Sequence, residues 1–152
     1  MDDKNVKEVG GMFLRLIIAH RKLSRRFIKP AGDSVLGDEL APHHGVIMKI
    51  LHDHGSLHVA EIGAITGVSK SQMTASIDKL LALGLIERHL DTDDRRRFNI
   101  ELTPEGHTLV DHIDRAIYEH VGGAFQALGK DKQTQFIDAL ATLEALLTEL
   151  VD

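Results

Sequence analysis

The sequence predicts a mainly α-helical protein with one small β element, and three observations lead to this prediction. Apolar residues recur every three or four positions through most of the chain, as they do in amphipathic helices. Two short segments, 85–90 and 98–102, instead favour β-strands. Breaker residues such as Gly84 and Pro104 stand where the helices would end or begin.

The N-terminal part predicts a helix, a loop and a second helix. A helix is expected over residues 6–28, where the apolar positions are Val6, Val9, Phe13, Leu16, Ile17, Leu23 and Phe27. Lys29 and Pro30 are expected to end this helix, and a loop is expected to run to about Leu40. Pro42 suits the first turn of the next helix, which continues to Leu51.

The middle of the chain predicts a helix-turn-helix motif. A short helix over 59–65 ends at Thr66 and Gly67. Ser69 then opens a second helix, and Ser69 and Gln72 have the spacing of a capping box, in which each side chain bonds the other residue's backbone N–H. A short helix, a turn with glycine and a capped helix are the parts of this motif.

A hairpin is predicted directly after the motif and forms a wing. The two strands, 85–90 and 98–102, flank a charged segment, 91–97. Thr103 and Pro104 then cap a long helix, and a last helix follows Gly129. Its apolar positions have the spacing of a coiled-coil seam: Phe136, Leu140, Leu143, Leu147 and Leu150.

With both the turn and the hairpin present, the sequence resembles the MarR family of winged helix-turn-helix regulators (multiple-antibiotic-resistance-type). The resemblance lies in segments 57–62, 68–74 and 83–88, and most specifically in 94–106, where Asp-x-Arg is followed by five residues, Leu-Thr and then Gly. Three positions depart from the family pattern. His58 stands where Thr or Ser often caps the first helix of the motif, so Ser56 or water would cap the start of that helix. Gly63 replaces a usual Ala. Ala75 replaces an Arg that contacts DNA in many members.

The resemblance implies a homodimer joined by its first and last helices. It therefore implies an N-terminal dimerisation helix and loop (1–40), a winged helix-turn-helix domain (41–103) and C-terminal dimerisation helices (104–152). The implied function is that of a transcriptional regulator, most commonly a repressor, that binds an inverted-repeat operator. A small organic ligand, an anionic aromatic compound in many members, would release it from the operator.

The predicted DNA contacts lie on the second helix of the motif and on the wing. Polar side chains at the start of that helix can reach base edges in the major groove, and these are Ser69, Lys70, Ser71, Gln72 and Thr74. Gln72 suits adenine, and Lys70 suits guanine or phosphate. Arg96, the Arg of Asp-x-Arg, would enter the minor groove, while Arg95 and Arg97 hold phosphates or pair with Asp94. Taken separately, a capped helix and an arginine-rich tip are also common surface features.

The residues for a ligand pocket are predicted by position alone. Arg15, His20 and His44 could line a pocket between the dimer helices and the winged domain and neutralise a carboxylate there. The alternative is that Arg15 and His20 are simply polar positions on a helix surface.

The sequence has ten histidines, which raises the question of a metal site. His52, His54 and His58 are close in sequence, and so are His107 and His112. His54 and His58 are four residues apart but fall between the predicted helices 42–51 and 59–65, so none of these residues forms the His-x3-His pair of a helical metal site. No metal ligands and no cofactor are therefore predicted. A metal-sensing regulator of the same fold remains the alternative to one that senses an organic ligand.

Composition and charge narrow the other possibilities. The net charge is −5, yet residues 1–30 carry eight Lys/Arg against three Asp/Glu, and residues 99–152 carry three against ten. The largest acidic excess thus lies in the last third of the chain. No apolar run suits a membrane span, and there is no Cys and no signal sequence, which favours a cytoplasmic protein. The absence of a Cys nucleophile and of a phosphate loop favours a protein that is not an enzyme. The rival function is a winged-helix protein-interaction module that does not read DNA.

Overall fold

The computed structural model describes residues 3–90 and 98–151. The helices are α1 (Asp3–Leu23), α2 (Lys29–Leu36), α3 (Pro42–His54), α4 (Val59–Thr66), α5 (Lys70–Ala82), α6 (Pro104–Gln126) and α7 (Lys130–Val151). The strands are β1 (Leu57–His58), β2 (Ile86–Leu90) and β3 (Phe98–Leu102). The chain forms two compact units, 1–117 and 118–152, and the division falls within α6.

The N-terminal region contains more helix than the sequence predicts. The predicted loop over 29–40 is wrong for residues 29–36, because a π-helical turn, Ser24–Ile28, leads directly from α1 into α2. Pro30 stands in the first turn of α2, directly after the π-helical turn, which is a common way for a helix to accommodate a residue that has no N–H to donate. Burial of Ala31 and Leu36 then holds the short helix on the core. Gly37, with a φ of 61°, ends it.

The core of the first unit lies between α3, α4, α5 and the sheet. Its fully buried side chains include Ile47 and Leu51 from α3, Ile62 from α4, and Ile77 and Leu80 from α5. The 3.6-residue period of each helix places these positions on one face. The helix-turn-helix motif therefore rests on an aliphatic base, and its orientation follows from this packing.

The sheet has three antiparallel strands in the order β1-β3-β2. The predicted hairpin is confirmed, with Ile86 opposite Leu102 and Leu90 opposite Phe98. The two-residue strand β1 was not predicted, and it pairs with β3 through Leu57 opposite Ile100. Ile86, Ile100 and Leu102 point to the core, so Glu87 and Glu101, which are their neighbours in sequence, lie on the outer face.

Helices α1 and α7 carry many exposed apolar side chains. On α1 the exposed set is Val9, Met12, Phe13, Leu14, Leu16, Ile17, Ile18 and Leu23. On α7 it is Phe136, Ile137, Leu140, Leu146 and Leu150. Within residues 3–90 and 98–151, none of the helices has the length and hydropathy needed to span a membrane. Apolar surface of this extent is typical of an interface with another chain.

Candidate nucleic-acid interface

The helix-turn-helix motif is formed by α4, a turn at Gly67 and α5. Gly67 has a φ of 64° and ψ of 14°, a left-handed conformation that glycine adopts without a steric cost. At the start of α4, the Glu61 carboxylate accepts a 2.7 Å hydrogen bond from the backbone N–H of His58. His58 and Glu61 thus form a capping box at this end, where the sequence suggested Ser56 or water.

The two sides of α5 differ sharply in exposure. Met73, Ser76, Ile77 and Leu80 are all buried against the core. The opposite side is exposed, and it carries all five helix residues that the sequence predicts to read DNA, namely Ser69, Lys70, Ser71, Gln72 and Thr74. Ala75 is also exposed there. The structure therefore brings these side chains together on one accessible surface at the start of the helix.

The first turn of α5 is ordered by its own side chains. The Ser69 hydroxyl donates to Gln72 Oε1 over 2.8 Å and lies 3.5 Å from the Gln72 backbone N–H. The predicted capping box is thus present only in part, because the Gln72 side chain bonds the Ser69 hydroxyl. Thr74 donates to the Lys70 carbonyl over 3.0 Å. These contacts restrict the rotamers of the side chains that would meet a base pair.

The wing strands follow α5 directly and frame the second predicted DNA contact. Arg95, Arg96 and Arg97 belong to the segment that joins β2 to β3, and they lie outside the described residues. Their proposed contacts with DNA stay a prediction.

A cavity of about 360 Å³ lies among α2, α3 and the first part of α6, within the first unit. Its apolar wall is formed by Ile28, Leu36, Val46, Ile50, Ile113 and Ile117. Lys29, Lys49 and Asp114 supply charge at the cavity. A space lined in this way suits a small, largely apolar ligand that carries one polar or charged group.

Lys49 is the best-connected charge at this cavity. Its Nζ lies 2.9 Å from Asp114 Oδ2 on α6 and 3.1 Å from Asp53 Oδ1 on α3. The hydrogen bond with Asp114 raises the pKa of Lys49 above its ordinary value of 10.5, although burial acts in the opposite direction. Lys49 is therefore a fixed positive charge that joins α3 to α6.

The three residues predicted for a ligand pocket do not line this cavity. Arg15 and His20 are exposed on α1. His44 is buried on α3, and its Nδ1 accepts a 2.9 Å hydrogen bond from the Ala41 backbone N–H. Burial lowers the pKa of His44 below its ordinary 6.5, and the neighbouring His43 lowers it further. The residues that line the cavity come from three segments that are distant in sequence, so the sequence alone does not bring them together.

Two further groups of polar residues come together only in the fold. The Nδ1 atoms of His52 on α3 and His107 on α6 lie 3.2 Å apart, although the residues are 55 positions apart in sequence. On the outer face of the wing, Glu87, His89 and Glu101 form a second group. The alternation of Glu87 and His89 along β2 was visible in the sequence, but the partner on β3 depends on the register.

Comparisons with known proteins agree with this geometry. The family model described as MarR family matches residues 40–97. The curated relative YpoP of Bacillus subtilis (strain 168), named an uncharacterised HTH-type transcriptional regulator, is 30% identical over 119 residues, which are 78% of this chain and 79% of YpoP. Across three of the curated relatives, the match covers 66% to 81% of the relative's own length.

Solved structures share the fold over most of the chain. RV1404 from Mycobacterium tuberculosis superposes with a TM-score of 0.79 at 19% identity, covering 91% of this chain and 92% of that one. BpsR of Bordetella bronchiseptica superposes with a TM-score of 0.64 at 20% identity, covering 86% and 98%. The BpsR structure concerns the regulation of that protein's DNA binding by 6-hydroxynicotinic acid.

Proposed function

Because this chain belongs to the MarR family of DNA-binding transcriptional regulators, we propose that it is a homodimeric repressor of an inverted-repeat operator, released by a small anionic aromatic ligand. The observation that carries the proposal is the surface at the start of α5, where five polar side chains are exposed on a helix whose other side is buried. Such a helix can enter the major groove without disturbing the core.

The proposed base contacts follow from the chemistry of this surface. Gln72 can pair with adenine through its amide, and it must first give up its bond from Ser69 to present both amide atoms. Lys70 would hold a phosphate or guanine, and the methyl group of Ala75 would fit against thymine. Arg96 would enter the minor groove beside this site, with Arg95 and Arg97 on phosphates.

The proposed dimer is formed by a second copy of this chain. The exposed apolar side chains of α1 and α7 support it, since surface of this kind is normally covered in solution. Arg15 and His20, on α1, would then lie at or near the subunit interface. Two copies related by a two-fold axis would place two recognition helices about one helical turn of DNA apart.

The proposed ligand site is the cavity beside Lys49. An aromatic ring would contact the isoleucine side chains, and its carboxylate would replace Asp114 on Lys49. Loss of the Lys49–Asp114 bond would release α6 from α3. The ligand can shift the protein away from the DNA-binding arrangement only if it binds the other arrangement more tightly.

Selection from random duplex DNA with the purified protein tests the central proposal. We expect enrichment of an inverted repeat with half-site centres about one helical turn apart. The affinity should fall steeply with salt. Arg96→Ala should weaken binding strongly, and Arg115→Ala on α6 is the matched control for loss of one arginine. No enriched sequence, together with salt-independent binding to another protein, would favour the protein-interaction module instead.

Ligand release is tested separately on the selected operator. Benzoate and 6-hydroxynicotinate serve as probes, and we expect at least one of them to lower the affinity of the protein for its operator. Lys49→Met should abolish this response, and because it also removes the Lys49–Asp114 bond it should by itself lower the affinity for the operator. Lys132→Met on α7 is the control and should change neither. A normal response in Lys49→Met would move the ligand site away from this cavity.

A further inference from the structure

The outer face of the wing carries three side chains that can ligate metal. Glu87 and His89 are two residues apart on β2 and therefore project to the same face. Glu101 on β3 lies directly opposite Glu87 in the strand register. The side chains are 48% exposed for His89, 49% for Glu87 and 40% for Glu101, so an ion from solvent can reach all three.

The ligand atoms are already close together. His89 Nε2 lies 2.5 Å from Glu101 Oε1 and 3.3 Å from Glu87 Oε1. One ligand atom from each residue lies within 4.8 Å of the other two. Ligands held about 2.1 Å from a zinc ion are roughly 3 to 3.5 Å from one another. Small rotations of the three side chains would therefore place their ligand atoms around one ion.

The charges of this cluster favour a cation. Carboxylates at directly opposed positions of an antiparallel pair repel each other. Within residues 3–90 and 98–151, neither Glu87 nor Glu101 forms an ion pair with Lys or Arg, and the imidazole of His89 is the group that lies against both. Arg88 projects to the other face of the sheet and pairs with Asp78. A dication would balance the two carboxylates while His89 serves as a neutral ligand.

We propose that Glu87, His89 and Glu101 form a three-ligand site for a divalent transition-metal ion, with Zn²⁺ as the best match and water completing the coordination. One imidazole nitrogen selects for transition metals over Mg²⁺ and Ca²⁺, and carboxylate oxygens are accepted ligands of zinc. Among the residues that the structure describes, this is the one group of three or more His, Asp or Glu side chains with such spacing.

Occupancy of the site would tie β2 to β3 next to the segment that joins them. Two ligands come from β2 and one from β3, so a bound ion adds a cross-link to the hydrogen bonds of the pair. The segment that connects the two strands, 91–97, contains the three arginines of the wing. The site is distinct from the cavity beside Lys49 and does not depend on a ligand there.

Titration of the full-length apo-protein with Zn²⁺, followed by calorimetry, tests the proposal without any DNA. We expect one ion per chain to bind at this site, and Co²⁺ to give the visible absorption of a low-symmetry site. His89→Gln and Glu101→Gln should each weaken this binding by at least roughly tenfold. His107→Gln, which removes one member of the His52–His107 pair, should leave it unchanged.

Thermal unfolding supplies an independent measurement, because all three ligands are exposed and their loss should not unfold the protein. Zn²⁺ should raise the Tm of the wild-type and His107→Gln proteins, as expected for an ion bound to the folded state, and should not raise that of His89→Gln. Equal zinc affinity in the wild type and His89→Gln, or loss of binding only in His107→Gln, would overturn the proposal.

Discussion

Arg88 of β2 donates a hydrogen bond from Nη2 to Oδ1 of Asp78 on α5 over 3.1 Å. The pair joins the last part of α5, the second helix of the helix-turn-helix motif, to β2, the first strand of the wing. Both side chains are largely exposed, Arg88 by 43% and Asp78 by 62%. Water therefore screens the pair, and its contribution to stability should be small.

We expect Asp78→Asn to lower the free energy of unfolding by less than about 1 kcal/mol, as is usual for exposed ion pairs. Urea unfolding at low and high salt measures this, and the effect should shrink as salt rises. A loss above about 2 kcal/mol would show that the pair is a structural requirement of the wing. Arg88→Ala together with Asp78→Asn should lower the free energy of unfolding by little more than either change alone.

A substitution at Gly106, near the start of α6, should lower the free energy of unfolding much more. A Cβ atom added at Gly106 would overlap the carbonyl oxygen of Leu85 and lie 3.1 Å from Leu102 Cδ2. The same carbonyl accepts a 3.1 Å hydrogen bond from the Thr103 N–H, so it cannot move freely. Gly106→Ala should therefore cost at least about 2 kcal/mol in urea unfolding.

Gly63 in α4 is the matched control for this change. A Cβ added there meets no other atom within 4 Å, and alanine is the better helix former. Gly63→Ala should stabilise the protein by about 0.5–1 kcal/mol. Equal effects of the two substitutions would contradict the close contact between Gly106 and Leu85.

Two neighbouring residues of α3 separate the effects of burial from those of exposure. Ile47 is fully buried and Val46 is 53% exposed. Ile47→Ala should lower the free energy of unfolding by about 2–5 kcal/mol, because it leaves a cavity in the core. Val46→Ala should change it by about 0.5 kcal/mol or less. Similar losses at both positions would mean that α3 presents a different face to the core.

The buried His44 should make stability depend on pH. Its pKa is lowered in the folded protein, chiefly by burial, so the unfolded chain binds a proton first as the pH falls. The stabilising contribution of neutral His44 is present above pH 6.5, the ordinary pKa, and is lost as the pH falls from there through the lowered pKa. Acid should therefore destabilise the fold.

His44→Gln isolates this contribution from those of the other histidines. Glutamine can accept the bond from the Ala41 N–H but does not titrate. Unfolding free energies of the wild type and the variant, measured between pH 7.5 and 5 (roughly the range in which histidine titrates), should fall more steeply for the wild type. Parallel curves would rule out His44 as a source of acid lability.

Substitutions at the recognition surface should distinguish positioning from base reading. With Lys70 on a phosphate, Lys70→Ala should weaken binding to all DNA sequences alike and reduce the salt dependence by about one phosphate contact. With Lys70 on guanine, the same change should relax the preference at one base pair. Gln72→Ala should relax the preference at one base pair, by about 1–3 kcal/mol. Operator titrations with single-base variants, at several salt concentrations, measure both. Unaltered selectivity in Gln72→Ala would exclude Gln72 from base readout.

The local parts of the fold were predictable from the residues themselves. The apolar spacing of α5 and the stop at Gly84 place the recognition helix, since both depend on neighbours within a few residues. The same holds for the hairpin, whose strands agree with the prediction to within one residue. The exposure of Lys70 and Gln72 follows from the same spacing, because the buried face of a helix determines its free face.

The features of the fold that the sequence did not predict depend on contacts between distant segments. Pro30 ends a helix in most contexts, and here a π-helical turn and the burial of Ala31 allow a new helix to begin. The ion pair between Lys49 and Asp114 depends on how α3 packs against α6. The position of Glu87 opposite Glu101 depends on the register of the two wing strands. Local propensity carries no information about either, because both are set by which apolar faces become buried together.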